Sequence, residues 1–236
     1  MPFTLSHPIA VLPFHRSRYF NFPALVLGSM SPDFVYYLSG KPTDGGHSIF
    51  SSELLNLPLC GLFYLIYRIL LQDMLKENLP RFWAVSRPKQ AVKHPLFFAI
   101  IFLYSAWLGM LSHIFLDNFT HQTGYFVQQF PVLQTEWKLP IFKWLQYSSG
   151  ILGLAGIMYY QWRIARQFPF ISPRSAYQKG YFWLGNILLT TAAFLAWSFL
   201  SPLSLAHYAT QIIRLVDCGI ISLLIYGIVG KIKSKV

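Results

Sequence analysis

Charged side chains are scarce in this chain. Only 11% of the 236 residues are Asp, Glu, Lys or Arg, whereas 54% are hydrophobic and the mean hydropathy is +0.43. A soluble domain normally carries about 25% charged residues. The shortage of charge therefore argues against an ordinary soluble domain and favours a membrane protein.

Cysteine is nearly missing as well. Cys60 and Cys218 are the two cysteines of the sequence, and each lies in an apolar stretch. This placement argues against a disulfide framework and against a cysteine-based metal site. The N-terminus also lacks the basic and apolar regions of a cleavable signal, so we expect the hydrophobic segments themselves to direct membrane insertion.

Long apolar runs dominate the sequence from residue 54 onward. A helix needs roughly 20 apolar residues to cross a bilayer, and five runs approach or reach this length: 54–71, 96–117, 148–162, 181–200 and 212–230. We predict an all-α fold, a polytopic membrane helix bundle with about five strong transmembrane spans. In the short third run, Gly150, Gly153 and Gly156 would allow close helix contact. No repeat or soluble insertion is visible, so residues 1–236 are expected to form a single membrane domain, with the bundle at 54–236.

Residues 1–53 form a segment that proline breaks into short pieces. Proline interrupts helix hydrogen bonding, and five prolines occur before residue 33. Residues 22–38 are apolar enough to enter the bilayer, yet their breaks favour a re-entrant or interfacial pair of helices over a true span covering 19–38. Such backbone is tolerated at membrane depth only where it is buried in protein or lines a wet cavity.

The basic residues are placed in loops. The net charge is +11, and the lysines and arginines concentrate at 76–93, at 163–179 and in the tail from 231. This alternation follows the positive-inside rule rather than the single basic face of a nucleic-acid-binding domain. We therefore expect the lipid bilayer, and no nucleic acid, as a partner. The rule places these loops in the cytoplasm and the His121 end of the second strong span on the extracytoplasmic side.

Three ionisable residues recur every four positions at the end of the second strong span. On a helix, His113, Asp117 and His121 share one face, and ionisable groups at this depth mark a functional site by default. His113 and Asp117 would be about 6 Å apart along the axis, and His113 and His121 about 12 Å apart. One metal cannot be held by all three residues of a straight helix. Either the helix ends before His121 or Asp117 bridges two metals; the alternative is a polar helix end without metal.

Further candidates lie in the broken N-terminal segment. His7, Asp33 and His47 each stand next to a helix break, and imidazole and carboxylate groups suit a zinc-like metal. Taken alone, each is an ordinary cap or turn residue. A different pair, Arg214 and Asp217 in the last run, is expected to form a buried structural ion pair.

Five motifs in order carry a resemblance to a known family. They are MPFTLSHPIA at 1–10, GSMSPDF at 28–34, GHS at 46–48, SHIFLDNFTH at 112–121 and LQYSSG at 145–150. The pattern closely resembles domain-of-unknown-function family 4184, a group of bacterial integral membrane proteins, over most of the chain. That family looks like a relative of the membrane-bound metal-dependent hydrolases, which in turn resemble the zinc-dependent phospholipase C and P1 nuclease group. The resemblance implies a helical metal site with six ligands: His7, Asp33, His47, His113, Asp117 and His121.

Two functional hypotheses follow. The first is a membrane-bound hydrolase in the bacterial inner membrane, with one or more divalent metal ions, zinc by preference, at the extracytoplasmic side. Asp33 and Asp117 would take the catalytic roles, and the substrate would be a phosphodiester or related ester of a phospholipid or another envelope component. The second is a non-catalytic membrane protein whose His/Asp cluster serves folding, metal sensing or transport.

Overall fold

The structure is a computed structural model that describes residues 4–43, 53–86 and 94–233. Its helices are α1 (Phe22–Gly28), α2 (Phe34–Ser39), α3 (Glu53–Ile66), α4 (Gln72–Asn78), α5 (Pro95–Thr120), α6 (Tyr125–Gln129), α7 (Ile141–Gln167), α8 (Ala176–Leu200) and α9 (Tyr208–Lys233). Four 3-10 helices among the described residues cover Thr4–Phe14, Ser31–Asp33, Pro131–Gln134 and Leu205–His207. A π-helical turn at Tyr67–Leu71 joins α3 to α4. A two-residue hairpin pairs β1 (Glu136–Trp137) with β2 (Leu139–Pro140). The predicted all-α helix bundle is confirmed.

Four helical segments among the described residues are long and apolar enough to cross a membrane. They are Leu54–Asn78, Pro95–Gln129, Ala176–Leu200 and Tyr208–Ile232. The remaining expected span, 148–162, lies within α7, a helix of 27 residues. α7 has the length to cross a bilayer, but it is not among those four apolar segments because polar side chains are spread along it.

The N-terminal segment folds as short pieces, as its prolines predict. Residues Thr4–Phe14 form a 3-10 helix that contains Pro8 and Pro13. Asn21 begins α1, because its side-chain oxygen accepts a hydrogen bond from the Ala24 N–H at 3.1 Å, the usual way of satisfying a free donor at a helix start. α1 and α2 have seven and six residues, so neither is long enough to cross a bilayer alone.

The described residues form two compact units. The first unit contains those of Met1–Phe34, Gly45–Tyr64 and Lys89–Gln161. Its apolar core consists of Ala24, Phe34, Cys60, Phe102 and Ala106. The sequence-based expectation of a single membrane domain stays a prediction.

The second unit contains the described residues of Val35–Asp44, Leu65–Pro88 and Trp162–Val236. Polar contacts join its helices: the Trp183 indole donates to the Asn78 carbonyl at 2.9 Å, and the Ser222 hydroxyl donates to the Asn186 side chain at 3.0 Å. A capping box formed by Ser175 and Gln178 begins α8.

The prediction of an ion pair between Arg214 and Asp217 is wrong. Arg214 donates instead to Ser201, with one guanidinium nitrogen 2.6 Å from the backbone oxygen and the other 3.0 Å from the hydroxyl. The guanidinium also lies 5.1 Å from the centre of the Trp197 ring. The physical reason is that Ser201 ends α8, where helix carbonyls lack intrahelical donors and a buried arginine can supply them.

Candidate metal centre

The His-Asp-His face of α5 is interrupted where the helix ends. α5 stops at Thr120, and His121 follows in an extended conformation with φ −117° and ψ 143°. His113 is fully buried and Asp117 is 7% exposed. The helix-end alternative is therefore confirmed: His121 leaves the helix rather than continuing its face.

Two glycines bring α1 and α5 into backbone contact. A Cβ atom on Gly28 would lie 2.7 Å from the Ala106 carbonyl carbon, and one on Gly109 would lie 2.8 Å from the Ser29 nitrogen. Only glycine permits so close an approach of two backbones. The approach places the Ser29 carbonyl oxygen 2.8 Å from His113 Nδ1.

The Ser29 carbonyl fixes the tautomer of His113. A carbonyl oxygen only accepts hydrogen bonds, so His113 Nδ1 must be the donor, and in the neutral ring the lone pair is then on Nε2. Metal-binding histidines are commonly oriented in this way by a backbone carbonyl on the second nitrogen. His113 Nε2 faces both Asp33 and Asp117.

His7 reaches the same place from the N-terminal 3-10 helix. That helix packs on α7 where side chains are small: a Cβ atom on Gly153 would be 3.0 Å from the Ser6 carbonyl oxygen. The predicted close contact at the α7 glycines thus involves the N-terminal segment. The His7 ring stacks on the His113 ring, with centroids 3.7 Å apart and planes 15° apart.

His7 is buried, and its ring nitrogens accept or donate no hydrogen bond among the described residues. The residue is 2% exposed, and neither ring nitrogen has a hydrogen-bond partner in the described part of the chain. Burial away from water, and secondarily the neighbouring His113 ring, lower the pKa of His7 to about 3. His7 is therefore neutral near pH 7, and it offers a lone pair in a place where an unsatisfied polar group costs about 1–3 kcal/mol.

Asp33 comes from the turn between α1 and α2. Pro32 and Asp33 belong to the 3-10 turn Ser31–Asp33, in which the Ser31 hydroxyl donates to the Gly28 carbonyl at 2.9 Å. The Thr4 hydroxyl donates to Asp33 Oδ2 at 2.5 Å. This bond holds one carboxylate oxygen and turns the other, Oδ1, toward His113 Nε2 at 3.8 Å.

Three side chains converge with spacings that suit a metal ion, and a fourth lies beside them. One ligand atom each of His7, Asp33 and His113 lie within 4.8 Å of one another. Asp117 adjoins them, with Oδ2 3.2 Å from His113 Nε2 and Oδ1 3.7 Å from His7 Nε2. A tetrahedral ion with bonds near 2.1 Å separates its ligand atoms by about 3.4 Å. Two imidazoles and one carboxylate at these spacings could hold such an ion, with Asp117 beside them as a further candidate ligand. We use the name metal centre for this candidate set of four residues.

His121 lies beside the metal centre rather than within it. Its Nδ1 is 3.5 Å from Asp117 Oδ1, 3.1 Å from the Asp117 backbone oxygen and 3.2 Å from the Thr120 hydroxyl. On the other side of the ring, the Gln146 amide nitrogen is 3.4 Å from His121 Nε2, and Lys143 donates to the Gln146 oxygen at 2.9 Å. His121 therefore connects Asp117 to the first turns of α7.

A cleft lies at that end of α7. Its volume is about 400 Å³, and its lining includes Gln122, Gln134, Glu136, Lys143 and Tyr147. Gln122 follows His121 in sequence, and Lys143 holds Gln146, so the cleft adjoins the His121 side of the metal centre. His7, Asp33 and His113 do not line it.

Comparison with models of known protein families assigns the chain to one family. The family model described as a domain of unknown function (DUF4184) matches residues 1–231. The chain belongs to this family. The DUF4184 match covers the metal centre, His121 and Gln146. No curated protein and no solved structure shows significant similarity to the chain.

Some residues around the metal centre of this DUF4184 chain were not expected from the sequence. Thr4 holds Asp33, the Ser29 carbonyl holds His113, and Gln146 contacts His121. All three lie within the motifs at 1–10, 28–34 and 145–150. The motifs therefore include these supporting residues, which the chemistry of single side chains did not indicate. The predicted ligand His47 lies outside the described residues.

Proposed function

We propose that the chain is a membrane-bound, metal-dependent hydrolase acting on a phosphodiester or related ester of a lipid or envelope component. The observation that carries the proposal is the convergence of His7, Asp33 and His113 with Asp117 at ligand spacing. These residues come from three separate parts of the chain. Their donor atoms, two imidazole nitrogens and two carboxylate oxygens, match the N/O ligand sets of zinc sites.

Each residue of the metal centre has a proposed role. His7 and His113 would bind the ion through nitrogen, and Asp33 and Asp117 through oxygen. Such an ion, when bound, lowers the pKa of a water ligand and stabilises a developing oxyanion. The chain holds His113 through the Ser29 carbonyl and Asp33 through the Thr4 hydroxyl. A carboxylate oxygen of Asp33 or Asp117 that does not bind the ion would accept the proton of the attacking water.

A second ion stays part of the proposal. Asp117 contacts His7 and His113 on one side and His121 on the other, so its carboxylate would be the group that bridges two ions, with His121 as a ligand of the second. His47 stays a predicted ligand. In the present geometry, His121 Nδ1 is within hydrogen-bond distance of the Asp117 backbone oxygen, and its ring would need to rotate to serve as a ligand.

We further propose that the protein belongs to the inner membrane of a bacterium, with the metal centre on the extracytoplasmic side. Four apolar helical segments support a place in a membrane. The alternation of basic and basic-poor loops supports the orientation. Tagging the connection at residues 201–207 with a membrane-impermeant label in intact cells tests this orientation, and labelling from the cytoplasmic side alone would contradict it.

A non-catalytic cluster is the second candidate, and the depth of the metal centre favours it. His7, Asp33 and His113 are at most 2% exposed, and a substrate must reach the ion. The hydrolase therefore requires access through the Asp117–His121 side, where His121 keeps 29% of its side chain exposed.

Metal content and ester hydrolysis, measured on the same purified protein, test the proposal. We expect wild type to carry stoichiometric zinc and to cleave bis(p-nitrophenyl) phosphate, and we expect His113→Ala and the isosteric Asp33→Asn to lose both. His207→Ala, at an exposed histidine whose ring pairs with Ser204, is the matched control and should keep both. Wild type without stoichiometric metal, or His113→Ala with unchanged metal, overturns the proposal. Zinc without ester cleavage supports the non-catalytic candidate.

A further inference from the structure

The cleft beside His121 contains one side chain of each charge. Lys143 and Glu136 both line it, together with the amides of Gln122 and Gln134, while Leu139 and Phe142 contribute apolar surface. Its volume of about 400 Å³ lies within the range of small-ligand sites, which combine apolar walls with a few polar groups. A cation and an anion in so small a space match a ligand that itself carries both charges.

Two exposed tryptophans directly follow the charged lining residues of the cleft in sequence, Trp137 after Glu136 and Trp144 after Lys143. Trp137 is 77% exposed and Trp144 45% exposed, and they flank the charged lining residues in sequence. The Trp144 indole donates to the Trp137 carbonyl at 3.2 Å, and the two rings lie 6.5 Å apart. Exposed tryptophan is favoured where an apolar surface meets water, as at the headgroup level of a bilayer. The exposure of these two side chains suits a place at the headgroup level for the β1–β2 hairpin and the start of α7.

A chain of polar contacts joins the cleft to the metal centre. Lys143 donates to Gln146, Gln146 donates to His121, and His121 lies 3.5 Å from Asp117. A headgroup held by Lys143 would thus be close to the partly exposed side of the metal centre.

We propose that this cleft binds the zwitterionic headgroup of a phospholipid with a primary ammonium group, the phosphatidylethanolamine class. Lys143 pairs with the phosphate, and Glu136 pairs with the ammonium group, each through a charge-assisted hydrogen bond. A headgroup without the ammonium loses the second pair and leaves Glu136 facing an anion. The inference rests on the proposed hydrolase function, to which it adds the substrate class and two specificity residues.

Native mass spectrometry of the intact protein in detergent tests the inference. The probes are phosphatidylethanolamine and phosphatidylglycerol with identical acyl chains. We expect wild type to bind phosphatidylethanolamine several-fold more tightly, Glu136→Gln to lose that preference, and Lys143→Met to bind both lipids more weakly. Lys138→Met is the matched control, because Lys138 is an exposed lysine of the nearby β1–β2 hairpin and does not line the cleft; it should behave as wild type.

The outcomes separate this inference from the proposed function. A wild type without lipid preference, or Glu136→Gln with an unchanged preference, overturns the headgroup assignment whatever the metal content. The preference should persist in wild type stripped of metal by a chelator, because Lys143 and Glu136 recognise the headgroup without the ion. Loss of the preference on metal removal contradicts the assignment to these two side chains.

Discussion

Substituting Gly109 by alanine tests how the fold holds the metal centre. The new Cβ atom would lie 2.8 Å from the Ser29 nitrogen and closer still to the Leu25 carbonyl oxygen, whereas ordinary contacts begin at 3.4 Å. α1 must therefore move away from α5 by about 1 Å, because the atoms that the new Cβ meets, above all the Leu25 carbonyl oxygen, are backbone and cannot rotate aside. Overpacking of this kind costs about 1–3 kcal/mol in unfolding free energy.

The same shift should weaken metal binding without touching a ligand. The bond from His113 Nδ1 to the Ser29 carbonyl is 2.8 Å long, and a displacement of this size stretches it beyond the usual length of a hydrogen bond. Losing a partner that orients a metal-binding histidine typically lowers affinity by about 10- to 100-fold. We expect a fall of this size in zinc affinity for Gly109→Ala, measured by competition with a chromophoric chelator in detergent.

Gly61→Ala provides the matched control. A Cβ atom on Gly61 would meet nothing within 4 Å, so alanine should leave zinc affinity unchanged and stabilise α3 by about 0.5–1 kcal/mol through its higher helix propensity. Folded Gly109→Ala with the zinc affinity and thermal midpoint of wild type would refute the argument that backbone contact between α1 and α5 positions His113.

Three further predictions concern the surrounding fold, each measured by thermal or denaturant unfolding in detergent. Asn21→Ala should lower the unfolding free energy by about 1 kcal/mol because the cap of α1 is lost, whereas Asn21→Ser should lower it less; equal losses would contradict the cap. Gly153→Ala should destabilise more than Gly156→Ala, since the first meets the Ser6 backbone and the second the flexible end of Ile9; the reverse order would be evidence against that packing. Double-mutant cycles should give a coupling free energy of about 0.5–1.5 kcal/mol between Arg214 and the Ser201 hydroxyl, and nearly none between Arg214 and Asp217. Strong coupling to Asp217 would indicate an ion pair in place of the contact with Ser201.

Much of the fold could be predicted from apolar length. The runs at 96–117, 181–200 and 212–230 lie within α5, α8 and α9. A run of about 20 apolar residues predicts a helix without any knowledge of what that helix packs against. Their ends were less predictable. α8 begins five residues earlier than its apolar run, at the capping box of Ser175 and Gln178, a local hydrogen-bond pattern that hydropathy does not register.

The metal centre could be predicted in part. Helix breaks indicated His7 and Asp33, and the four-residue spacing at the end of an apolar run indicated His113 and Asp117. The structure brings these four side chains close together. The supporting contacts could not be predicted, because the Ser29 carbonyl reaches His113 only through the packing of Gly28 and Gly109. The pairing of Arg214 failed for a related reason: spacing on one helix favours Asp217, but the end of a neighbouring helix provides better acceptors at Ser201.

Zinc K-edge X-ray absorption of the zinc-loaded protein tests the central claim most directly. We expect about four nitrogen or oxygen ligands near 2.0–2.2 Å, with the multiple-scattering signal of two imidazoles from His7 and His113. His7→Ala should reduce that signal to one imidazole. A sulfur ligand, an ion bound by oxygen alone, or a spectrum unchanged by His7→Ala would contradict the assignment of these residues to a metal centre.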